Sequence, residues 1–186
     1  MTIIFIVIGV ILYFSTNLSK KEKTLFTLLS PIETGVDFSN IMPINMMNGE
    51  NNIAFEYYYN GAGVSLGDIN NDGLLDIFFT ANKSSNKMYL NLGDMRFNDV
   101  TNQANLGSTR FSTGSVFVDI NNDGFLDLYV CNGGKFTDIK QGRENQLYIN
   151  QKDGTFKESA EEYGINDPNY SIHSAFFDYD LDGDLD

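Results

Sequence analysis

The sequence predicts an all-β fold, and three observations carry that prediction. A nonapeptide of the form D-x-[DN]-x-D-G-x-L-D occurs three times, at Asp68–Asp76, Asp119–Asp127 and Asp178–Asp186. Each copy follows a short apolar run of strand length: Gly63–Gly67, Ser115–Val118 and Ser174–Phe177. The downstream flanks of the first two copies repeat as well. Ile77–Thr80 matches Leu128–Cys131, Lys87–Asn91 matches Gln146–Asn150, and Phe97 matches Phe156, the last two pairs 59 positions apart. Gly93-Asp94 and Asp153-Gly154 supply hairpin turns before the last strand. Each unit is thus strand, acidic loop, strand, third strand, turn, fourth strand. Four short strands in a repeat of about 50–60 residues are the pattern of a propeller blade and not of a helical solenoid.

The elements follow in order along the chain. Ile3 to Phe14 is apolar apart from Gly9, and Ser15, Thr16 and Asn17 lead on to Lys20, Lys21 and Lys23. A run of that length at the N-terminus suits the apolar region of an export signal, and it reaches membrane-spanning length only with Ser15–Leu18 included. Residues 1–18 are therefore expected to be a signal peptide or an N-terminal membrane anchor. The remainder is expected outside the cytoplasm, secreted or anchored at the cell envelope. Residues 19–59 form a lead-in, in which the alternation of Phe55, Tyr57 and Tyr59 predicts an edge strand. Residues 60–186 hold the repeats, with blades at about 60–110, 111–170 and a truncated third at 171–186. The period is 51 between the first two nonapeptides and 59 between the second and third, whereas Phe97 to Asp119 and Phe156 to Asp178 both span 22. The extra eight residues therefore lie between Asp127 and Asn145, in a strand connection that includes Gly133–Lys140 and tolerates insertion.

Composition narrows the function classes. The 186 residues are 42% apolar and 13% aromatic with 17 Gly and 3 Pro, which excludes a disordered or collagenous chain. A net charge of −13 disfavours nucleic acid and anionic lipid as partners. Cys131 is the single cysteine and His173 the single histidine, so disulfides and zinc cages of the usual kind are excluded.

The nonapeptides carry the chemistry. They contain 11 of the 25 acidic residues and no basic one, leaving the rest of the chain at only −2. Alternating acidic and amide positions on a tight loop turn oxygens towards one centre, the ligand set of a hard cation, and Ca2+ takes six to eight such oxygens. Positions one, three, five and nine supply side chains: Asp68, Asn70, Asp72 and Asp76; Asp119, Asn121, Asp123 and Asp127; Asp178, Asp180, Asp182 and Asp186. The glycine at position six permits the sharp bend, and the backbone carbonyl of Leu74, Phe125 or Asp184 at position seven completes the set. An EF-hand requires Glu at position twelve, where Phe79 and Val130 stand. Up to three Ca2+ are expected, which would reduce the net charge to −7.

These loops, each behind a short apolar strand, resemble the FG-GAP or VCBS repeat of integrin α-subunit propellers and many bacterial surface proteins, over roughly residues 60–186. Val64–Gly73 and Ala175–Asp184, with Leu25–Leu29 and Thr34–Phe38 ahead of them, are similar to the exported bacterial proteins that join this propeller to a C-terminal ASPIC/UnbV segment, the cartilage acidic protein-like group. The resemblance implies a seven-bladed calcium-binding propeller serving adhesion or binding, its cation loops between adjacent strands of a blade, and it carries the ligand roles over to the twelve side chains just named. Seven blades need nearly 400 residues at about 55 each and a ring needs at least four. Two and a half blades are therefore expected to be a fragment whose remaining blades come from a missing C-terminal part.

Other features call for no chemistry. His173, with Ser171, Ser174 and Asp178 nearby, is a strand-edge histidine and not a triad member. Cys131 is a small core residue, Glu161 and Glu162 are the solvated side of a helical turn, and Phe55, Tyr57 and Tyr59 pack against a core or edge in preference to forming a sugar-stacking platform. The expected function is non-enzymatic: a calcium-binding module mediating protein or glycan binding at the cell surface. The alternative is the propeller portion of a polysaccharide lyase or hydrolase whose catalytic part lies elsewhere.

Overall fold

A computed structural model describes residues 25–47, 49–134 and 142–186. The apolar run at residues 3–14 and most of the insert, residues 135–141, lie outside the described residues. The chain divides into Met1–Ser30, of which Leu25–Ser30 carry no helix or strand, and Pro31–Asp186. Every described helix and strand belongs to the second unit. No described helix is long and apolar enough to cross a membrane.

A single helical turn, α1 (Pro31–Thr34), precedes two four-stranded antiparallel sheets. The first runs in chain order through β1 (Val64–Gly67), β2 (Asp76–Phe79), β3 (Lys87–Asn91) and β4 (Phe97–Asp99). The second repeats the order with β5 (Ser112–Val118), β6 (Asp127–Asn132), β7 (Gln146–Asn150) and β8 (Phe156–Glu158). Registers correspond: Gly67 pairs with Asp76 as Val118 pairs with Asp127, and Asn91 pairs with Phe97 as Asn150 pairs with Phe156. The two meanders are the blades that the repeat predicts, all-β and consistent with part of a propeller.

The core lies between the sheets and not within either. Strand side chains alternate between faces, so Phe78, Met88 and Val100 of the first sheet turn towards Leu128, Val130, Tyr148 and Phe156 of the second, all buried. The opposite face of the second sheet buries Tyr129, Cys131 and Leu147, and Phe176 of the third repeat packs on it with its ring 5.4 Å from that of Tyr129. Burial pushes the Cys131 thiol up, as suits a core residue.

Glycine sets how closely the inner strands approach. A Cβ on Gly63 would stand 2.9 Å from Gly114 Cα, and one on Gly114 would stand 2.3 Å from the Ile172 carbonyl oxygen. Gly63, Gly114 and His173 are equivalent positions at the repeat spacing, so each repeat meets the next backbone to backbone. Beside this contact the Ser65 and Ser115 hydroxyls lie 2.6 Å apart.

The lead-in covers part of the outer face of the first sheet, around Phe79 and Tyr89. Phe38 stacks on Phe79 at 4.7 Å, Tyr89 donates its hydroxyl to Asp37 at 2.9 Å, and Asn40 and Asn82 exchange reciprocal hydrogen bonds of 2.7 and 3.0 Å. The strand expected across Phe55–Tyr59 is instead a run of turns: Phe55 N–H donates to the Asn51 carbonyl, Tyr58 to Phe55, and Asn60 to Tyr57. Apolar alternation was a misleading signal there, because Phe55 packs edge-on against Phe111 and Tyr57 and no ladder partner lies alongside among the described residues. Ser174–Phe177 is likewise outside any ladder. Its hairpin does show one rung, from Asp186 N–H to the Phe177 carbonyl at 3.1 Å, at the place where Asp76 pairs with Gly67.

Candidate functional site

The three nonapeptides connect the first and second strands of each repeat and share one backbone course. Position four is left-handed (Asn71, φ 59°; Asn122, φ 56°; Leu181, φ 64°), and so is the glycine at position six (Gly73, Gly124 and Gly183, φ 86°, 87° and 98°). Asparagine and glycine tolerate that region and leucine does not. The left-handed bends turn successive side chains back over the loop.

Position one then closes it. Asp68 accepts the N–H of Asp72 on one oxygen at 3.0 Å and that of Gly73 on the other at 2.8 Å. Asp119 does the same with Asp123 and Gly124 at 2.9 and 2.8 Å, and Asp178 with Asp182 and Gly183 at 3.2 and 3.0 Å. Position three joins in: Asn70, Asn121 and Asp180 each accept the N–H of position five. Position five accepts the N–H of position seven, Leu74 on Asp72, Phe125 on Asp123 and Asp184 on Asp182.

Position nine differs from the rest. Asp76 and Asp127 are fully buried and each pins the loop to two places, with one oxygen accepting Ile69 or Ile120 N–H (3.0 and 3.2 Å) and the other Asn91 or Asn150 N–H (both 2.8 Å). Asp186 accepts Tyr179 N–H at 2.8 Å in the same way. Desolvation pushes the Asp76 and Asp127 carboxyls up, the nearby position-one and position-five carboxylates add to it, and the backbone N–H groups oppose it.

Among the described residues, three of the predicted side chains come together as a carboxylate cluster, all of them in the third loop; Asp182 is not part of it, and the carboxylates of the first two loops, Asp68, Asp72 and Asp76 and Asp119, Asp123 and Asp127, form no such cluster. One oxygen from each of Asp178, Asp180 and Asp186 lies within 4.8 Å of the others. Oxygens bound at about 2.4 Å around one cation can be no farther apart than about 4.8 Å. Beside that group, Asp184 is held above its ordinary value by its hydrogen bond and like charge with Asp182. In the first two loops the amides of Asn70 and Asn121 replace Asp180. The second loop also holds a cation of its own, the Lys152 ammonium, 3.2 Å from Asp123 Oδ2.

Sequence reasoning missed the residues that tie the loops to their surroundings. Asn150 Nδ2 donates to the Ile69 carbonyl at 2.8 Å and the Leu126 carbonyl at 3.2 Å, and its counterpart Asn91 donates to Leu75 at 2.9 Å. Asn71 Nδ2 reaches the Gly124 carbonyl of the second loop at 2.9 Å. At the far end of the blades, Asn86 and Asn145 each cap the turn between second and third strands, accepting Ala81 and Asn132 N–H at 2.8 Å. The 59-residue period that pairs Asn91 with Asn150 also pairs Asn86 with Asn145, and was the signal available.

Away from the loops, Phe55, Tyr57, Phe111 and Tyr170 border a cavity of about 650 Å3 at the starts of the inner strands. Tyr59 is not among its lining residues. His173 and Glu161 are exposed, and Glu162 is exposed with its carboxylate 3.1 Å from Lys157 Nζ.

Among curated proteins, no sequence matches the chain. The FG-GAP-like repeat model matches twice, at residues 68–130 and at 132–186, so that each match opens at or just ahead of a blade's loop or its outer strands. Together the matches take in more than half of the chain, and with two blades of identical register between them the protein belongs to the FG-GAP-like repeat family.

Proposed function

We propose that the three loops are calcium sites and that the chain is the propeller part of a non-enzymatic binding module, secreted or anchored at the cell surface. The observation that carries the reading is the oxygen-only donor set on a loop already folded by its own hydrogen bonds. Asp68, Asn70, Asp72 and Asp76, with the Leu74 carbonyl, would hold one ion. Asp119, Asn121, Asp123 and Asp127 with Phe125 would hold a second, and Asp178, Asp180, Asp182 and Asp186 with Asp184 a third. Bound calcium would neutralise clustered carboxylates and cross-link the two strands that flank each loop. The chain's own residues do the remainder: the position-one carboxylate orders the loop, and position nine anchors it to the third strand. Oxygen ligands in this number suit Ca2+ better than Mg2+, which keeps its water, or Zn2+, which prefers nitrogen and sulfur.

A seven-bladed ring, with the remaining blades supplied by further repeats, accounts for the apolar residues left exposed at both ends of the array, Val64 and Leu66 on one side and Ile172 and Phe177 on the other. The ligand class proposed is an extracellular protein or glycan. Calorimetric titration of the full chain with calcium chloride tests the metal reading: binding that is lost in part in Asp123→Ala supports it, and equal melting in calcium and in chelator overturns it. Fusing residues 1–30 to a reporter active only outside the cytoplasm tests export.

A further inference from the structure

The backbone N–H groups of the first two loops donate to the same positions, yet among the described residues only the second loop is occupied by a side-chain cation. Lys152 follows β7 at the start of the hairpin turn, with its N–H on Asn150 Oδ1 at 2.9 Å. The equivalent residue of the first sheet is Gly93, whose N–H sits on Asn91 Oδ1 at the same 2.9 Å. Both positions are left-handed, φ 81° at Gly93 and 65° at Lys152. Glycine takes that conformation freely and lysine does so at a cost, so the turn itself gives no reason for a lysine.

The side chain gives one. Its ammonium lies 3.2 Å from Asp123 Oδ2 and 5.4 Å from the centre of the Phe125 ring, a carboxylate and an aromatic face that attract the same cation. Neither half of this arrangement exists in the first loop, where position seven is Leu74 and the lysine position is Gly93. There the corresponding oxygen, Asp72 Oδ2, takes only the neutral Asn70 amide at 2.9 Å. Both Asp123 and Lys152 keep part of their side chains in solvent, at 23% and 46% exposure, so the ammonium is free to swing away.

We infer that Lys152 is a tethered counter-cation that competes with calcium for the second loop, setting its affinity below that of the first. The inference rests on the calcium reading of the loops. A metal ion reaching Asp123 must displace the ammonium from its carboxylate and its ring, and then bind with a positive charge still on a short leash beside it. At low calcium the second loop keeps a side-chain cation and the first has none among the described residues; the two sites therefore fill at different calcium concentrations.

The test is calorimetric titration of the full chain with calcium chloride, beside thermal unfolding in chelator, for wild type, Lys152→Gln and Lys152→Arg. Gln keeps a long stem at the same backbone conformation and removes only the charge; Lys152→Gly, the residue of the first sheet, serves if Gln folds poorly. One site is expected to tighten about tenfold in Lys152→Gln at low ionic strength, with less gain in about 1 M salt. The melting temperature in chelator is expected to fall, Lys152→Arg to stay near wild type, and the gain to vanish on an Asp123→Ala background. Unchanged affinities with calcium still bound would overturn the role of Lys152 and leave the calcium reading intact. No calcium bound to any of these proteins would overturn both.

Discussion

Asn150 at the end of β7 donates its side-chain amide to the carbonyl of Ile69, 81 residues earlier in the loop of the first repeat, at 2.8 Å in buried surroundings. With its backbone N–H on Asp127 and a second amide contact to Leu126, one side chain ties the first loop to the second. Replacing it with alanine leaves the Ile69 carbonyl unpaired. Asn150→Ala is expected to cost about 1–3 kcal/mol, and Asn91→Ala, whose amide bond to Leu75 is exposed, markedly less. Urea unfolding of both variants checks the difference.

Glycine substitutions should separate close approach from backbone strain. In Gly114→Ala the new Cβ meets the Ile172 carbonyl oxygen at 2.3 Å, and backbone on that side must move. In Gly124→Ala nothing lies within 4 Å, and the penalty is the left-handed conformation, about 1 kcal/mol. Gly114→Ala is therefore the more damaging by thermal unfolding, and equal effects would remove the backbone contact as the determinant of sheet spacing.

The third loop contains its own misfit. Leu181 is 86% exposed at φ 64°, where the other loops place asparagine. Leu181→Asn is expected to raise stability by about 0.5–1 kcal/mol through the backbone alone. A melting temperature at or below that of wild type would contradict it.

Acidity should act oppositely with and without metal. The raised Asp76 and Asp127 values mean that folding favours their protonated forms. Their contribution is full below the unfolded value, about 4, and is lost as pH rises through the higher folded value. In chelator, acidifying from pH 7 to about 5 should therefore increase what these two groups contribute, and Asp127→Asn should flatten the pH slope of unfolding free energy even though it lowers stability overall. In calcium, which requires the ionised carboxylate, the slope should reverse.

The fold was legible because its repeat was. Two copies of each strand at matching spacings located all eight strands, whereas which of their apolar residues face the neighbouring sheet emerged only with the structure. The loops were legible at the level of residue type, since Asp, Asn and Gly at fixed offsets fit only a few backbone courses. The Phe55–Tyr59 turns were not, because an aromatic alternation has the same appearance whether a neighbouring strand is present or not. Nor was Lys152: it differs from its counterpart Gly93, so repeat comparison marks it only as a mismatch, and its meaning depends on the direction in which the hairpin carries the side chain.

The placement of the core between sheets separates what is duplicated from what is stable. The duplicated segment runs from one inner strand to the last strand of the same sheet, but the buried unit runs from the middle of one sheet to the middle of the next, from Phe78 to Leu128 and from Tyr129 to Phe176. A single copy excised at its sequence boundaries would present two half-cores to water and close neither. Such a chain can lengthen in evolution only where a new copy finds a face to lie on.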